Sequence, residues 1–198
     1  MDIFEEIRGD ILGHRLMVEA MLGDNRLIEA IELAARLIAK CLREGGTVLV
    51  FGNGGSAADA QHIAGELVGR FRMERRGLRA IALTTDASVI TSLSNDFGYD
   101  EIFSRQIEAL GRKGDIALAL STSGNSPNIL RAIVAAHEKG MEVIGLSGRD
   151  GGEMRSSCDH LILIPSPDTP RIQEGHSIVY HALCGLIERL LCEPLSND

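Results

Sequence analysis

Five short apolar runs constrain this chain most: TVLVF at 47–51, AIALT at 80–84, IALAL at 116–120, EVIGL at 142–146 and LILI at 161–164. Each has the length of a β-strand. Between most of them lies a segment whose apolar residues recur at helical spacing, the pattern of parallel βαβ units. The runs are continuously apolar rather than alternating, so helices must cover both faces of the sheet they build. The expected fold is α/β, a three-layer, doubly wound arrangement around a five-stranded parallel sheet. Residues 1–44 form an addition to it. There Ile3, Ile7, Ile11 and Leu12, then Leu27, Ile28, Ile31, Leu33, Leu37 and Ile38 repeat at helical spacing around a Gly23-Asp24-Asn25 break, which predicts a helical hairpin. Helices outside such a sheet often serve an oligomer interface. The last segment, 172–192, is again helical. No repeat or charge run divides the chain, and 198 residues suffice to bury a core without disulfides, so residues 1–198 read as one domain.

Charge narrows the function. A formal net charge of −8 argues against nucleic acid or an anionic membrane as the main partner, since phosphate backbones recruit basic faces. A small anionic substrate stays possible through local dipoles. Cys41, Cys158, Cys184 and Cys192 show neither a CxxC pair nor a disulfide spacing, as expected in a reducing compartment. The N-terminal MDIFEEIRGD is acidic where a signal peptide is basic, and no apolar run approaches the roughly 18 residues of a membrane span. A cytoplasmic location is expected.

Ligands of an open doubly wound sheet sit beyond the carboxyl ends of its strands, so the following loops carry the chemistry. After the first strand comes Gly52-Asn53-Gly54-Gly55-Ser56, followed by a helix expected to start near Ala57 with Ser56 as its cap. Glycines allow positive φ and close approach of a ligand to free helix N–H groups. A tight β–α turn accounts for the same residues equally well. After the third strand comes Ser121-Thr122-Ser123-Gly124-Asn125-Ser126-Pro127, with Pro127 at the start of a helix capped by Ser126. A cap explains Ser126 and Pro127 but not three further hydroxyls in the same turn, which suits a phosphate. Asn95 and Asp96 follow the helix after the second strand and would bond sugar hydroxyls or make an Asx-turn.

His62 and Glu66 stand four residues apart, one turn along one helix face. Alone, such a pair is usually a solvated contact. The last helix adds Gln173, Glu174, His176 and His181 to an otherwise apolar pattern, and polar groups near a core need partners. A metal bound by His62, Glu66, His181 and a fourth oxygen donor meets that need, and zinc suits imidazole with carboxylate. Gln173 lies eight residues from His181, about 12 Å along an ideal helix. Long inward-leaning side chains, a bent helix start, or ligands shared between subunits would each reconcile the spacing. His176 reads as a core or interface histidine.

The chain resembles the phosphoheptose isomerases of the sugar-isomerase (SIS) domain superfamily essentially end to end. The resemblance is carried by GNGGSAADAQHIAGELVGRF (52–71), SNDFGYDEIFSRQ (94–106), STSGNSPNIL (121–130), GRDGGEM (148–154) and RIQEGHSIVYH (171–181). It implies one zinc per subunit held by His62, Glu66, Gln173 and His181. It implies substrate contacts from Asn53, Gly54, Gly55, Glu66, Asn95, Asp96, Ser121, Thr122, Ser123, Ser126 and Gln173. It also implies a homotetramer with active sites at subunit interfaces, whose product feeds lipopolysaccharide core or other surface glycans. Two departures stand out: Arg76 where relatives often have proline, and Pro170 where some have an aspartate that Asp168 would replace.

The reaction so implied is isomerisation of sedoheptulose 7-phosphate through a cis-enediol, with Glu66 and His181 as the acid/base pair. Two rivals remain at this level. One is a non-catalytic SIS protein associating with a replication initiator, against which the presence of both Glu66 and His181 counts. The other is an isomerase of a different sugar phosphate.

Overall fold

The computed structural model describes residues 2–192; Met1 and residues 193–198, the ends of the expected 1–198 unit, lie outside the described residues. The N-terminal addition is two helices, α1 (Ile3–Gly23) and α2 (Asn25–Arg43), joined at Asp24. Asp24 is extended, and its side chain accepts from the N–H groups of Arg26 and Leu27. An acceptor there satisfies donors that a helix start leaves free, so the chain stops and restarts at one residue. On α2 the buried residues Leu27, Ile31, Ala34 and Ile38 form a single stripe at helical spacing.

The sheet follows as expected: β1 (Val48–Gly52), β2 (Ala80–Ala82), β3 (Ile116–Leu120), β4 (Glu142–Gly148) and β5 (His160–Ile164), all parallel, in the order β2-β1-β3-β4-β5. The second apolar run ends its strand at Ala82 rather than Thr84. Leu83 still donates to the Val50 carbonyl at 2.9 Å, after which the chain turns towards the next helix.

Along β1, Val48 and Val50 enter the core shared with α1, α2, α3 (Gly55–Val68) and α8 (Thr169–Cys192). The alternate residues Leu49 and Phe51 enter the core shared with α5 (Ser104–Leu110), α6 (Pro127–Glu138) and α7 (Met154–Ser157). Strand side chains alternate between faces, so burying every residue of β1 and β3 requires the two helical layers that the continuous apolar runs predicted. The remaining helix, α4 (Ala87–Phe97), has no buried residue. Between β1 and β3 the winding reverses, since β1 leads out to β2 and β3 leads out to β4. The crevice beyond these two strands is the topological switch point.

A buried ion pair ties the segment after α3 to α8. Glu188, 1% exposed, sits 3.0 Å from Arg75 Nε, and the Arg75 side chain is 5% exposed. Burial favours the neutral acid, but N–H groups of Phe71, Arg72 and Met73, with Arg75, outweigh it and hold the Glu188 carboxyl below the usual carboxylate range. Glu188→Ala is therefore expected to cost about 3–5 kcal/mol of unfolding free energy, because a buried cation loses its partner. A denaturant titration would measure it, and a change below about 1 kcal/mol would show the pair to be dispensable.

Candidate active site

Both loops at the switch point take shapes that leave ligand-binding groups free. Gly54, at φ 55°, is the N-cap of α3, and no side chain caps that helix. The helix thus begins at Gly55, two residues before the expected start, and Ser56 is a buried first-turn residue instead of the cap. The Gly54 carbonyl accepts from Ala57 at 3.0 Å, so backbone alone closes the turn. A left-handed glycine makes this conformation cheap, and the absence of a capping side chain leaves the α3 terminus open to an anion.

The two loops are joined by amides. Asn53 Nδ2 donates to Asn128 Oδ1 and Asn128 Nδ2 donates to Asn53 Oδ1, both at 2.8 Å. Tyr99 Oη donates to the same Asn53 Oδ1 at 3.0 Å. The Asn53 oxygen is thereby saturated, and one Nδ2 hydrogen remains for a ligand. Asn128 and Tyr99 escaped the sequence reading, because the pairing links residues 75 apart and no local pattern marks it.

In the hydroxyl loop, Ser126 stands at the N-cap of α6 without a capping side-chain bond. Its Oγ instead lies 3.2 Å from Ser121 Oγ. Ser121 Oγ accepts from Gly124 N at 3.2 Å and Ser123 Oγ accepts from Asn125 N at 3.3 Å. A serine oxygen held by a backbone N–H keeps its own O–H free to donate, which suits an oxyanion. Thr122 is half-buried beside them. The loop is buttressed by residues 149–153: Gly124, at φ 68°, lies so close to the Gly151 carbonyl that no Cβ fits, and Asn125 Oδ1 accepts from Glu153 N at 2.9 Å. Asn95 and Asp96 lie in the last turn of α4 and not in an Asx-turn, both exposed, with Asn95 donating to Asp96 at 2.8 Å. The structure does not draw them into this network.

The titratable set converges between α3 and α8. Ligand atoms of His62, Glu66 and His181 all lie within 4.8 Å of one another. His62 Nε2 is 3.1 Å from Glu66 Oε1, and the His62 and His181 rings are 5.1 Å apart, edge to face. Donors about 2.0–2.2 Å from a tetrahedral zinc stand roughly 3.4 Å apart, so small side-chain rotations would bring this donor set to a metal. The other His62 nitrogen, Nδ1, lies 3.2 Å from Tyr180 Oη, the kind of outer contact that orients a metal-binding imidazole. Asp59, one turn before His62, has a buried carboxyl oxygen without a partner among the described residues. Burial is the main cause that raises its carboxyl above the usual range, against the pull of His62. Neither Asp59 nor Tyr180 was singled out from sequence, since each acts only through its neighbour.

The remaining polar residues of α8 separate by role. Glu174 is taken by His14 Nδ1 at 2.8 Å and Arg171 at 3.0 Å. His176 is fully buried, its Nε2 3.3 Å from the Ser147 carbonyl. Burial lowers its pKa to about 4, so it is a neutral core histidine. Asp168 is exposed and faces Arg171. The side chain of Gln173 packs against Gly55, and α8 runs unbroken from Thr169. A bent helix start therefore does not explain the Gln173–His181 spacing.

The open parallel sheet, with amide- and hydroxyl-lined loops at its switch point, defines an SIS-type phosphosugar domain, and the SIS domain family matches residues 17–148. A phosphoheptose isomerase of Burkholderia pseudomallei is 52% identical over 182 residues, covering 92% of each chain. The solved phosphoheptose isomerase of Neisseria gonorrhoeae superposes with a TM-score of 0.89 at 43% identity, covering 94% of this chain and 98% of its own. That of Francisella tularensis gives 0.92 at 39%, covering 96% and 100%. The chain belongs to the phosphoheptose isomerases and is a sugar-phosphate isomerase.

Proposed function

We propose that the chain converts sedoheptulose 7-phosphate into D-glycero-D-manno-heptose 7-phosphate. The convergence of His62, Glu66 and His181 in one chain carries this reading, since it supplies a base, a proton carrier and a metal donor set together. Gln173 completes the donor set in the assembled oligomer. Zinc bound there would polarise the carbonyl oxygen and its neighbouring hydroxyl. Glu66 takes the proton from C1 of the open-chain ketose and returns it to C2 of the cis-enediol. His181 moves the hydroxyl proton from O1 to O2, so atoms balance and no redox partner is needed. With one Glu66 oxygen given to the metal, the second would be left to act as base.

Asn53, Gly54 and Gly55 present donors to the sugar, while Ser121, Thr122, Ser123 and Ser126 hold the phosphate. Asn95 and Asp96 reach sugar hydroxyls from the end of α4. Ser121→Ala and Ser123→Ala are expected to raise KM with little change in kcat, each lost bond to the dianion costing roughly 1.5–3 kcal/mol. Steady-state kinetics would read this, and a lost metal content in either variant would refute the pocket assignment. The reaction itself is tested by incubating pure protein with sedoheptulose 7-phosphate. No heptose 7-phosphate after zinc is restored would reject the function.

The same reading makes the protein a homotetramer. Ile3, Phe4, Ile7, Ile11 and Leu16 of α1 are each more than half exposed. A largely apolar groove of about 540 Å³ between α1, α2 and α8, lined by Val18, Met21, Ile31, Ile178 and Leu186, continues that face. Contiguous exposed apolar surface marks an interface. The adjoining concavity includes His181, so a neighbouring copy would close over the metal site. Among the described residues no helix is long and apolar enough to cross a membrane, and the product would enter surface-glycan synthesis from the cytoplasm.

A further inference from the structure

The segment between α3 and β2 belongs to neither ligand loop, yet it touches both sides of the triad. Glu188 on α8 accepts from Phe71 N and Arg72 N at 2.8 Å each and from Met73 N at 3.0 Å. Arg75, paired with Glu188, donates through Nη2 to the Glu66 carbonyl at 2.8 Å and through Nη1 to the Leu67 and Gly69 carbonyls at 2.8 and 3.0 Å. These are carbonyls that a helix end leaves without partners. One guanidinium therefore closes the helix that carries His62 and Glu66, and one carboxylate holds the chain after it in a hook.

That hook lays Phe71 on the catalytic histidine. The Phe71 and His181 rings are stacked, centroids 5.6 Å apart and planes 15° from parallel. On α8, Gly185 lies beside the Phe71 ring: a Cβ built there would meet the ring at 3.4 Å, an ordinary contact distance. The guanidinium of Arg72 lies over the same ring, 4.9 Å from its centroid.

We infer that Phe71, fixed by the Glu188–Arg75 hook, is a positioning residue that sets the plane of the His181 imidazole. An imidazole turns easily about its terminal bond, while metal binding and proton transfer both need its nitrogen aimed along one direction. A flat ring stacked on it removes the turn without adding a charge or a competing donor. The role rests on the reading of His181 as metal ligand and proton carrier.

The test compares Phe71→Leu, Phe71→Tyr and His181→Ala in the full chain, by steady-state kinetics and by zinc affinity of the apo proteins in chelator competition. Phe71→Leu is expected to lower kcat and weaken zinc binding, each about 10–100-fold, the usual range for a lost outer-shell contact. KM should stay nearly constant. Phe71→Tyr, which keeps the stacked ring, should restore both. Phe71→Leu with native kcat and zinc affinity, or Phe71→Tyr as impaired as Phe71→Leu, would overturn the role. If Phe71→Leu does not fold, Phe71→Met, which keeps the bulk but removes the flat ring, is read the same way. An active His181→Ala would reject the underlying reading. An inactive His181→Ala beside an unaffected Phe71→Leu would reject the role of Phe71 alone.

Discussion

Glu66→Gln is expected to lower kcat by about 10²–10⁴-fold, with KM and the thermal midpoint nearly unchanged. Glutamine keeps the shape and an oxygen that pairs with His62 or a metal, but it offers no lone pair basic enough to remove a carbon-bound proton. The main-chain carbonyl of residue 66 still receives Arg75, so the end of α3 stays closed. The fall would therefore report chemistry and not folding. Turnover within about threefold of native would reject Glu66 as the base, on a scale where tenfold is 1.36 kcal/mol. A variant that also lost its zinc would show that Glu66 acts mainly as a ligand.

Stripping the metal with a chelator is expected to abolish turnover, on the order of 10³-fold or more, and one equivalent of zinc should restore it. Polarising the reacting oxygens is worth several kcal/mol, which the protein side chains alone do not supply. The donors of His62, Glu66 and His181 stand on α3 and α8, helices held by their own core packing, so the protein should keep its fold once the metal is removed. Zinc should raise its stability by about 2.7 kcal/mol at a hundredfold excess over Kd. Thermal melts with and without zinc give this second readout. Full activity after metal removal would sink the proposal, and so would an unfolded apo protein, since the metal would then be structural.

Much of the architecture was legible because it rests on burial. Continuous apolar runs at 116–120 and 142–146 had to lie between two helical layers, and they do. Asp24 in a Gly-Asp-Asn break had to end one helix and start another. Helical periodicity put His62 and Glu66 on one face, but only the polar residues of the last helix made the pair a candidate site. Less legible were features decided by pairing across the fold. Ser126 had the pattern of a cap, yet its hydroxyl turned to Ser121. Ser56 had it too, yet a left-handed glycine took the position. Glu174 stood among the polar residues of the last helix without an assigned role, and only the approach of His14 and Arg171 shows what engages it.

The sequence by itself determined the layer order, the placement of the ligand loops and the identity of the titratable residues, because periodicity and turn chemistry act over a few residues. Tertiary structure alone decided which of those residues meet. It brought His181 to His62 and Glu66, set Asn128 against Asn53, and hung Phe71 over His181 from a carboxylate more than a hundred residues away. The contacts of His181 and Phe71 depend on how α3 and α8 pack side by side on one sheet face, and the Asn53–Asn128 pair on how the loop after β1 meets α6 on the other. Packing geometry leaves no periodic trace in a single sequence.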